Sequence, residues 1–375
     1  MSTDAPLLPS AAELGFAICP NVTAGTARRF FEKGVTPKDF FVRSAENLAE
    51  ITGVRPAMFS LERRKKALAR AGEELRFMEA NNVRVFLSWA GDYPVRLRDC
   101  DDAPAALFTM GNITTMPHHS VAIVGTRNCT AYGAEVARRI VEDLADSLDD
   151  VVIMSGLALG IDIVAHRAAM DKGIPTGAVL AHGLSTIYPS VHRNYARDIL
   201  RNGGFLATEY TSDTPIHRGN FPARNRIVAG LSDVTVVVES DTHGGALITA
   251  SIAAAYGREV GAVPGRIYDQ MSRGCNSLIH SNRAFVVRDA DDIIKAMQWK
   301  AKAKPGVQQE LPVLTEEQQA VVDLLTVDSE ATVNDICVRL NIPYARLSAM
   351  LFELEMNDVV VSRPGGRYAV TVPPK

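Results

Sequence analysis

Short amphipathic stretches dominate the N-terminal part of the chain. Their apolar spacing predicts helices over about 11–18, 22–33, 37–42, 44–50 and 56–80. Gly34 and Gly53 suit helix C-termini between these segments, and Pro37 and Pro56 suit first helical turns. In some proteins, helical pairs joined by glycine turns contact nucleic-acid backbones, and in others they are modules for protein contact. The sequence leaves both interpretations open. We expect a small helical domain over residues 1–81.

From residue 121 the pattern changes to apolar strand, glycine turn and amphipathic helix, repeated several times. The predicted strands are Val121–Val124, Val151–Met154, Gly177–Ala181, Phe205–Thr208, Val234–Val238, Glu259–Val263 and Ala284–Val287. The predicted helices lie at about 131–146, 161–172, 190–201, 222–231, 246–256 and 290–297. Continuous apolar strands that alternate with helices are typical of a parallel sheet covered on both faces. The pattern therefore predicts an α/β fold with a Rossmann-like, doubly wound core over 82–299, to which residues 82–115 add edge structure.

The C-terminal part carries a third pattern. A charged stretch with Pro and Gly but no periodicity predicts a linker over 300–313. Three helices and a β-hairpin are then predicted, at 316–326, 332–339, 343–356, Val359–Ser362 and Arg367–Val372. This order is the pattern of a winged-helix domain, which we place at 314–375. Because this domain has nine acidic side chains against five basic ones, we expect protein contact or weak DNA contact there.

Composition limits the class of protein. Hydrophobic residues make up 47% of the 375 and charged residues 22%, as in a soluble protein with a sizeable core. The net charge of −3 excludes a uniformly basic surface, so any polyanion site has to be a local patch. Five cysteines and eight histidines show no metal-ligand spacing, and no apolar stretch is long enough for a membrane span. We expect no metal, no cofactor and no membrane association. The N-terminus lacks the pattern of a secretory leader, so we expect a cytoplasmic protein.

One segment concentrates cations and an aromatic ring. Arg218, Phe221, Arg224, Asn225 and Arg226 lie within nine residues, ahead of a predicted strand. Guanidinium groups bind phosphate oxygens and an aromatic ring stacks on a base, so this composition suits a nucleic acid. Any single arginine could instead cap a helix or pair with a buried acid.

Three glycine turns follow predicted strands. The first contains Gly125, Thr126 and Arg127, where glycine permits close backbone approach and the next helix presents free amides. The second begins with Ser155 and Gly156, and its small residues leave room near the backbone. In an open parallel sheet, ligands bind beyond the carboxyl ends of the strands.

The third turn contains Gly244 and Gly245 at the start of a helix, an arrangement that receives anions. The run from Gly274 to Ile279 predicts a further small-polar loop. We expect these turns to converge with the Arg224–Arg226 pair on one extended anion site.

Catalytic machinery is not visible in the sequence. Glu209 and Glu239 lie at strand ends, where both could pair with nearby arginines. Asp162 suits a helix cap, and His166 suits a structural histidine. Cys275 has no histidine at a recognisable interval. We therefore expect a binding protein and no enzyme.

Together, the Gly125–Arg127 turn, the Ser155–Asp162 segment, Phe221–Leu231, Gly244–Ala250 and Gly274–Ile279 resemble the DprA/Smf family of bacterial DNA-processing proteins. The resemblance covers about residues 85–295, and the flanking parts fit more loosely a SAM-like helical domain and a winged helix. It implies a single-stranded DNA-binding protein of natural transformation that dimerises through its Rossmann-like domain. It also implies protection of incoming strands, displacement of single-strand-binding protein and loading of the RecA recombinase.

The resemblance also implies residue roles. Arg127 matches an arginine that contacts DNA phosphate, and Phe221 matches a ring that packs on a base. Arg218 stands at the position of a basic residue three before that ring. Asn225 lies in the same motif, and four further residues line the pocket rim by analogy: Ser155, Gly156, Gly244 and Gly245.

A rival interpretation is a nucleoside-monophosphate phosphoribohydrolase of the cytokinin-activating type, which has a related Rossmann-like fold. Those enzymes carry a Pro-Gly-Gly-x-Gly-Thr-x-x-Glu turn in which the glutamate is catalytic. The corresponding run here, from Thr242 to Thr249, contains no glutamate. Release of a free base from nucleoside monophosphates would support this alternative.

Overall fold

The computed structural model of the protein describes residues 8–113, 116–302, 314–328, 330–357, 359–363 and 366–370. The chain divides into two compact units, Met1–Lys302 and Ala303–Lys375. The division falls inside the predicted linker, most of which lies outside the described residues. No described helix is both long and apolar enough to cross a membrane.

Five helices open the first unit. They are α1 (Ala11–Ala17), α2 (Ala24–Glu32), α3 (Pro37–Val42), α4 (Ala45–Thr52) and α5 (Leu61–Asn81), with a 3₁₀ turn at Pro56–Phe59. A serine or threonine side chain caps the N-terminus of each α-helix by accepting a backbone amide of its first turn. Gly53 ends α4 in the left-handed conformation (φ 71°), as glycine at this position predicts.

These helices share a hydrophobic core with the sheet that follows. Phe16, Phe30 and Phe40 are fully buried and belong to the same core as Phe108 and Leu206 of the sheet. The predicted domain boundary at residue 81 therefore falls inside the first compact unit.

A nine-stranded sheet forms the centre of this unit. Its strands are β1 (Arg84–Leu87), β2 (Ala106–Gly111), β3 (His119–Gly125), β4 (Val151–Ser155), β5 (Thr176–Val179), β6 (Phe205–Thr208), β7 (Val234–Val238), β8 (Glu259–Ala262) and β9 (Phe285–Val286). Their order is β1-β2-β6-β5-β4-β3-β7-β8-β9. Strands β3 to β9 all run parallel to one another. Strands β1 and β2 add an antiparallel edge next to β6, within the segment 82–115 for which we predicted extra edge structure.

Helices cover both faces of the sheet, which confirms the predicted doubly wound α/β fold. They are α6 (Val95–Arg98), α7 (Ala131–Ser147), α8 (Ile161–Asp171), α9 (Arg193–Arg201), α10 (Asn220–Gly230), α11 (Gly245–Ala255), α12 (Arg273–His280) and α13 (Ala290–Ala296). One core packs α7 and α8 against the strands, and another packs α10 and α11 against the opposite face.

The strand order reverses between β3 and β7. The chain builds outward from β3 through β4, β5 and β6, then crosses back to β7 on the other side. Connections on the two sides leave in opposite directions, so a crevice opens at the carboxyl ends of these two strands. Gly125 at the end of β3 is paired with Val238 at the end of β7, which places the first glycine turn at this crevice.

The predicted loop from Gly274 to Ile279 is wrong, because this run forms most of α12. Cys275 and Leu278 are buried one helical turn apart, and this spacing holds the segment helical despite its small polar residues.

The second unit is the predicted winged helix. It comprises α14 (Glu316–Asp328), β10 (Ala331–Thr332), α15 (Val333–Leu340), α16 (Tyr344–Met356), β11 (Val360–Arg363) and β12 (Arg367–Val370), with the strands in the order β10-β12-β11. Thr332 and Asp335 form a capping box at the start of α15. Val321, Ile336 and Leu351 are buried in its core. Pro364 and Gly365, which lie between the two predicted hairpin strands, and the predicted end of the second strand at Thr371 and Val372 lie outside the described residues.

Candidate nucleic-acid interface

A cavity of about 640 Å³ opens at the crevice between β3 and β7. The loops that follow β3, β4, β5 and β7 and the first turns of α10 and α11 line it. Ten predicted site residues lie in this lining: Gly125, Thr126, Arg127, Gly156, Arg218, Phe221, Arg224, Asn225, Gly244 and Gly245. The strand topology thus brings together segments that are more than one hundred residues apart in the sequence.

The first glycine turn is packed backbone against backbone. A Cβ atom on Gly125 would lie 2.0 Å from the carbonyl oxygen of Val238, and the amide of Thr126 donates to the carbonyl of Glu239 at 2.8 Å. Gly160, at φ 77°, approaches from the other side, where a Cβ would lie 2.2 Å from the carbonyl oxygen of Thr126. Side chains are excluded at both glycines, so the turn holds Arg127 at a fixed place on the rim.

Two aromatic rings and a guanidinium group form a continuous surface at the mouth of the cavity. The Arg127 guanidinium carbon lies 5.1 Å from the centroid of the Phe221 ring. The Tyr188 ring lies 5.7 Å from the same ring, and Tyr188 keeps 42% of its surface exposed. Phe221 is half-buried. This surface offers a planar π face next to a positive charge.

Arg127 and Arg218 supply the exposed positive charge of the cavity. Both side chains are exposed, and neither makes an ion pair or a hydrogen bond to any residue that the structure describes. A guanidinium group without an acidic partner keeps its full capacity to bind an anion. These are the two predicted cations that the structure leaves available to a ligand.

Arg224 has a different position, since it is only 5% exposed and lies beneath the second turn. Its Nη1 donates to the carbonyl oxygens of Gly156, at 2.6 Å, and Val179. Burial lowers the pKa of Arg224, and nearby Arg127 lowers it further while Asp162 opposes the shift. Arg224 therefore supports the floor of the cavity and contributes a buried positive charge below it.

Asp162 completes this support. Its carboxylate accepts the backbone amides of Gly156 at 3.1 Å and Ala158 at 3.3 Å. Burial raises the pKa of Asp162, while Arg224 and these two amides lower it in part. The predicted helix-cap role is wrong in detail: Gly160 holds the N-cap position of α8, and Asp162 caps the loop that precedes it.

The start of α11 closes the opposite side of the cavity. Gly244 is the N-cap residue and Gly245 the first helical residue. A Cβ on Gly245 would meet no atom within 4 Å, so its backbone is open to a ligand. The Asn225 amide group donates to the carbonyl of Gly245 at 3.4 Å and ties α10 to this turn. Asp241 adds one negative charge to the lining, where hydrogen bonds from Gln270 and Thr242 lower its pKa.

Two predicted site residues do not reach the cavity. Arg226 lies on the other side of α10, where it forms ion pairs with Glu209 and, at 3.9 Å, with Asp102. Residues two apart on a helix point about 200° apart, so Arg224 and Arg226 cannot converge on one ligand as we predicted. The Ser155 hydroxyl is fully buried and donates to the carbonyl of Ile123 at 2.7 Å, which makes it part of the sheet.

The carboxylates considered for chemistry have structural partners. Glu209 accepts from Arg226, and Glu239 accepts from the amide and hydroxyl of Thr130. His166 is buried with Nδ1 at 2.7 Å from the Thr176 hydroxyl, whereas its Nε2 has no partner among the described residues. Within the described ranges, no group of three His, Cys, Asp or Glu side chains is placed to hold a metal ion.

Sequence analysis missed Tyr188. This residue lies in the loop after β5, which ends at the same edge of the sheet as the three glycine turns. An aromatic residue in a loop beyond a predicted parallel strand was the available signal. The loop contains Gly183 but no arginine, so it lacks the cations that mark the Arg218–Arg226 segment.

The chain is similar to known DNA-processing proteins. The family described as DNA recombination-mediator protein A matches residues 84–298, and the DprA winged helix domain matches residues 305–366. Protein Smf of Escherichia coli strain K12 is 36% identical over 279 residues, which span 73% of this chain and 74% of that protein.

Two solved structures agree with this similarity. DNA processing protein A from Streptococcus pneumoniae superposes with a TM-score of 0.65 at 32% identity and covers 77% of this chain and 98% of its own. The protein of the same name from Helicobacter pylori, studied for its single-stranded DNA binding mode, gives a TM-score of 0.51 at 28% identity and covers 58% of this chain and 95% of its own.

Proposed function

Because the chain belongs to the DNA recombination-mediator protein A family, we propose that it binds single-stranded DNA across the cavity between β3 and β7. The observation that carries this proposal is the contact of Arg127 with the Phe221 ring at the mouth of a glycine-lined cavity. The single-stranded DNA binding of the Helicobacter pylori relative supports it.

In this proposal, three kinds of group hold the strand. Arg127 and Arg218 pair with phosphate oxygens, and open backbone at Gly245 admits a further phosphate. Phe221, with Tyr188 beside it, stacks on a base, which stabilises the complex by about 1–3 kcal/mol per base. Every base offers a π face, so binding has little sequence preference. Arg224 and Ser155 act from beneath as structural support, and Arg226 lies outside the site.

Membership of the family supports a wider role within this proposal. The protein protects single strands from degradation, competes with single-strand-binding protein and loads RecA during DNA uptake and recombination in the cytoplasm. A homodimer formed through the Rossmann-like unit would hold two cavities on one strand and raise the affinity for long strands. The protein acts by binding and requires no metal or cofactor.

Nucleic-acid binding is tested with fluorescently labelled oligo-dT, a duplex of the same length and a free mononucleotide. Full-length protein is expected to bind oligo-dT at least about tenfold more tightly than the mononucleotide, because several phosphates and bases contribute. Equal affinity for the mononucleotide, or release of free base from it, would favour the phosphoribohydrolase alternative instead.

Arg127→Ala tests the phosphate contact. Removal of one phosphate contact should lower the slope of log affinity against log salt by about 0.7 for a single strand. Arg139→Ala is the matched control, since Arg139 is an exposed arginine on α7 that pairs with Glu135 at 2.7 Å. An unchanged slope in Arg127→Ala would remove Arg127 from the interface.

A further inference from the structure

The last helix of the winged-helix unit, α16, carries an exposed apolar stripe. The stripe consists of Ala345, Ala349, Phe352 and Met356. All four are exposed, and the two large side chains keep 65% (Phe352) and 71% (Met356) of their surface in solvent. Single exposed apolar residues are common, whereas a contiguous exposed apolar patch points to a binding surface.

The geometry of α16 makes this stripe continuous. Its members are four, three and four residues apart, which places them on one face of an α-helix. The opposite face is buried in the core of the unit through Leu347, Leu351 and Leu354. The stripe covers eleven residue steps, or about 16 Å, which equals three helical turns.

Acidic side chains border the C-terminal half of the stripe on both sides, whereas Arg346, paired with Glu317, borders its N-terminal half. Glu353 lies on the side of α14, where it accepts a hydrogen bond from the Gln318 side chain at 3.0 Å. Glu355 lies on the side of β11, where it accepts the backbone amide of Ser362 at 3.3 Å. Neither carboxylate forms an ion pair with a described residue, so both negative charges face the surroundings of the stripe.

Three of the four arginines of this unit are held in ion pairs, and the fourth, Arg363, forms none with a described residue. Arg339 pairs with Asp328, Arg346 with Glu317 at 2.9 Å, and Arg367 with Glu330. Helix–turn–helix proteins that read duplexes place a polar, basic helix in the major groove. An apolar helix with acidic borders cannot serve that purpose.

We propose that the apolar stripe of α16 docks an amphipathic helix of a partner protein, about three turns long, whose apolar face is bordered by lysine or arginine. Apolar contact supplies the affinity, and Glu353 and Glu355 select the basic borders. This surface goes beyond the proposed single-stranded DNA site and does not depend on it.

Charge also decides against other occupants. Two copies of the winged-helix domain over 314–375, each with nine acidic against five basic side chains, would repel one another. Anionic lipid surfaces attract basic segments and would repel this acidic one.

The test uses full-length protein and two labelled synthetic peptides of 18 residues, about five turns. Both peptides have the same leucine stripe, and one has lysine at the border positions whereas the other has glutamate. By fluorescence anisotropy, the lysine peptide is expected to bind at least about tenfold more tightly than the glutamate peptide, with an affinity that falls as salt rises.

Variants locate the contact. Phe352→Ser with Met356→Ser should weaken binding of the lysine peptide by roughly tenfold or more. Val327→Ser with Val338→Ser is the matched control, because these residues are 79% and 81% exposed elsewhere in the same unit. All four positions are exposed, so thermal unfolding should change little.

Four results would overturn the proposal. They are equal binding of the two peptides, no binding of either, an unchanged affinity in the stripe variant, and a stripe variant that loses duplex DNA binding. If sedimentation instead shows that the stripe variant dissociates a wild-type oligomer, the occupant is a second copy and the proposed partner is wrong.

Discussion

In the first unit, Arg127 and Arg218 face a cavity without an acidic partner, whereas in the second unit Arg339, Arg346 and Arg367 are held in ion pairs. The first unit presents glycine backbone and an aromatic surface at this cavity, and the second presents an apolar helix with acidic borders. A winged-helix fold is therefore no sign of duplex recognition by itself. The availability of cationic side chains decides where a polyanion binds.

The largest expected difference between the units concerns their exposed aromatic residues. Phe221→Ala should weaken oligo-dT binding by about 1–3 kcal/mol, because the base loses its stacking partner. Phe352→Ala, on the apolar stripe, should leave oligo-dT affinity unchanged. Anisotropy titrations of both variants check this, and a similar loss in Phe352→Ala would break the comparison.

Acid should destabilise only the first unit through buried histidine. Burial lowers the pKa of His166 from 6.5 to about 3, with Arg224 and His192 adding repulsion. Between pH 6.5 and about pH 3, His166 is protonated in the unfolded state and neutral in the folded state. Stability due to this group is therefore complete above pH 6.5 and is lost as pH falls, by up to about 1.4 kcal/mol per pH unit.

His166→Gln should flatten the pH dependence of the free energy of unfolding of the first unit below pH 6.5. The exposed His280→Gln is the control and should keep the wild-type profile. The second unit contains no histidine, so its unfolding should not show this dependence. Chemical denaturation at several pH values measures the free energy of unfolding. The same pH dependence in His166→Gln and wild type would contradict the role of His166 in acid destabilisation.

A smaller effect is expected at Gly245, where a substitution should weaken DNA binding without lowering stability. An added methyl group meets no atom within 4 Å, so Gly245→Ala should not lower the melting temperature. The methyl group would block a phosphate from the backbone and weaken oligo-dT binding by about tenfold. Gly72→Ala, also in a helix with open space, is the control and should leave DNA binding unaltered. Wild-type affinity in Gly245→Ala would move the strand away from α11.

The smallest effect is expected at Arg363, which makes no ion pair with a described residue of the second unit. Arg363→Ala should change the oligo-dT affinity by less than about twofold and leave the slope of log affinity against log salt unchanged, since surface substitutions away from a site alter free energies little. A lower salt slope would mean that the second unit also contacts phosphate, and the contrast between the units would weaken.

Local patterns predicted most of the fold. Apolar runs identified the parallel strands, and amphipathic spacing identified the covering helices to within a few residues. Two covering helices were not predicted: α6, which is only four residues long, and α12, because Gly274, Asn276 and Ser277 have weak helix propensity and only burial of Cys275 and Leu278 keeps that segment helical.

By itself, the sequence determined the strand–helix alternation, the winged helix, the glycine turns and the family. Only the tertiary structure decided which cations are available at the rim, since helix geometry separates Arg224 from Arg226 and burial turns Arg224 into a support. The position of Tyr188 beside Phe221, and the exposure of Phe352 opposite a buried face, likewise depend on packing between distant elements. Residue type sets what a side chain can bind, and the neighbours that fold against it decide whether it is free to do so.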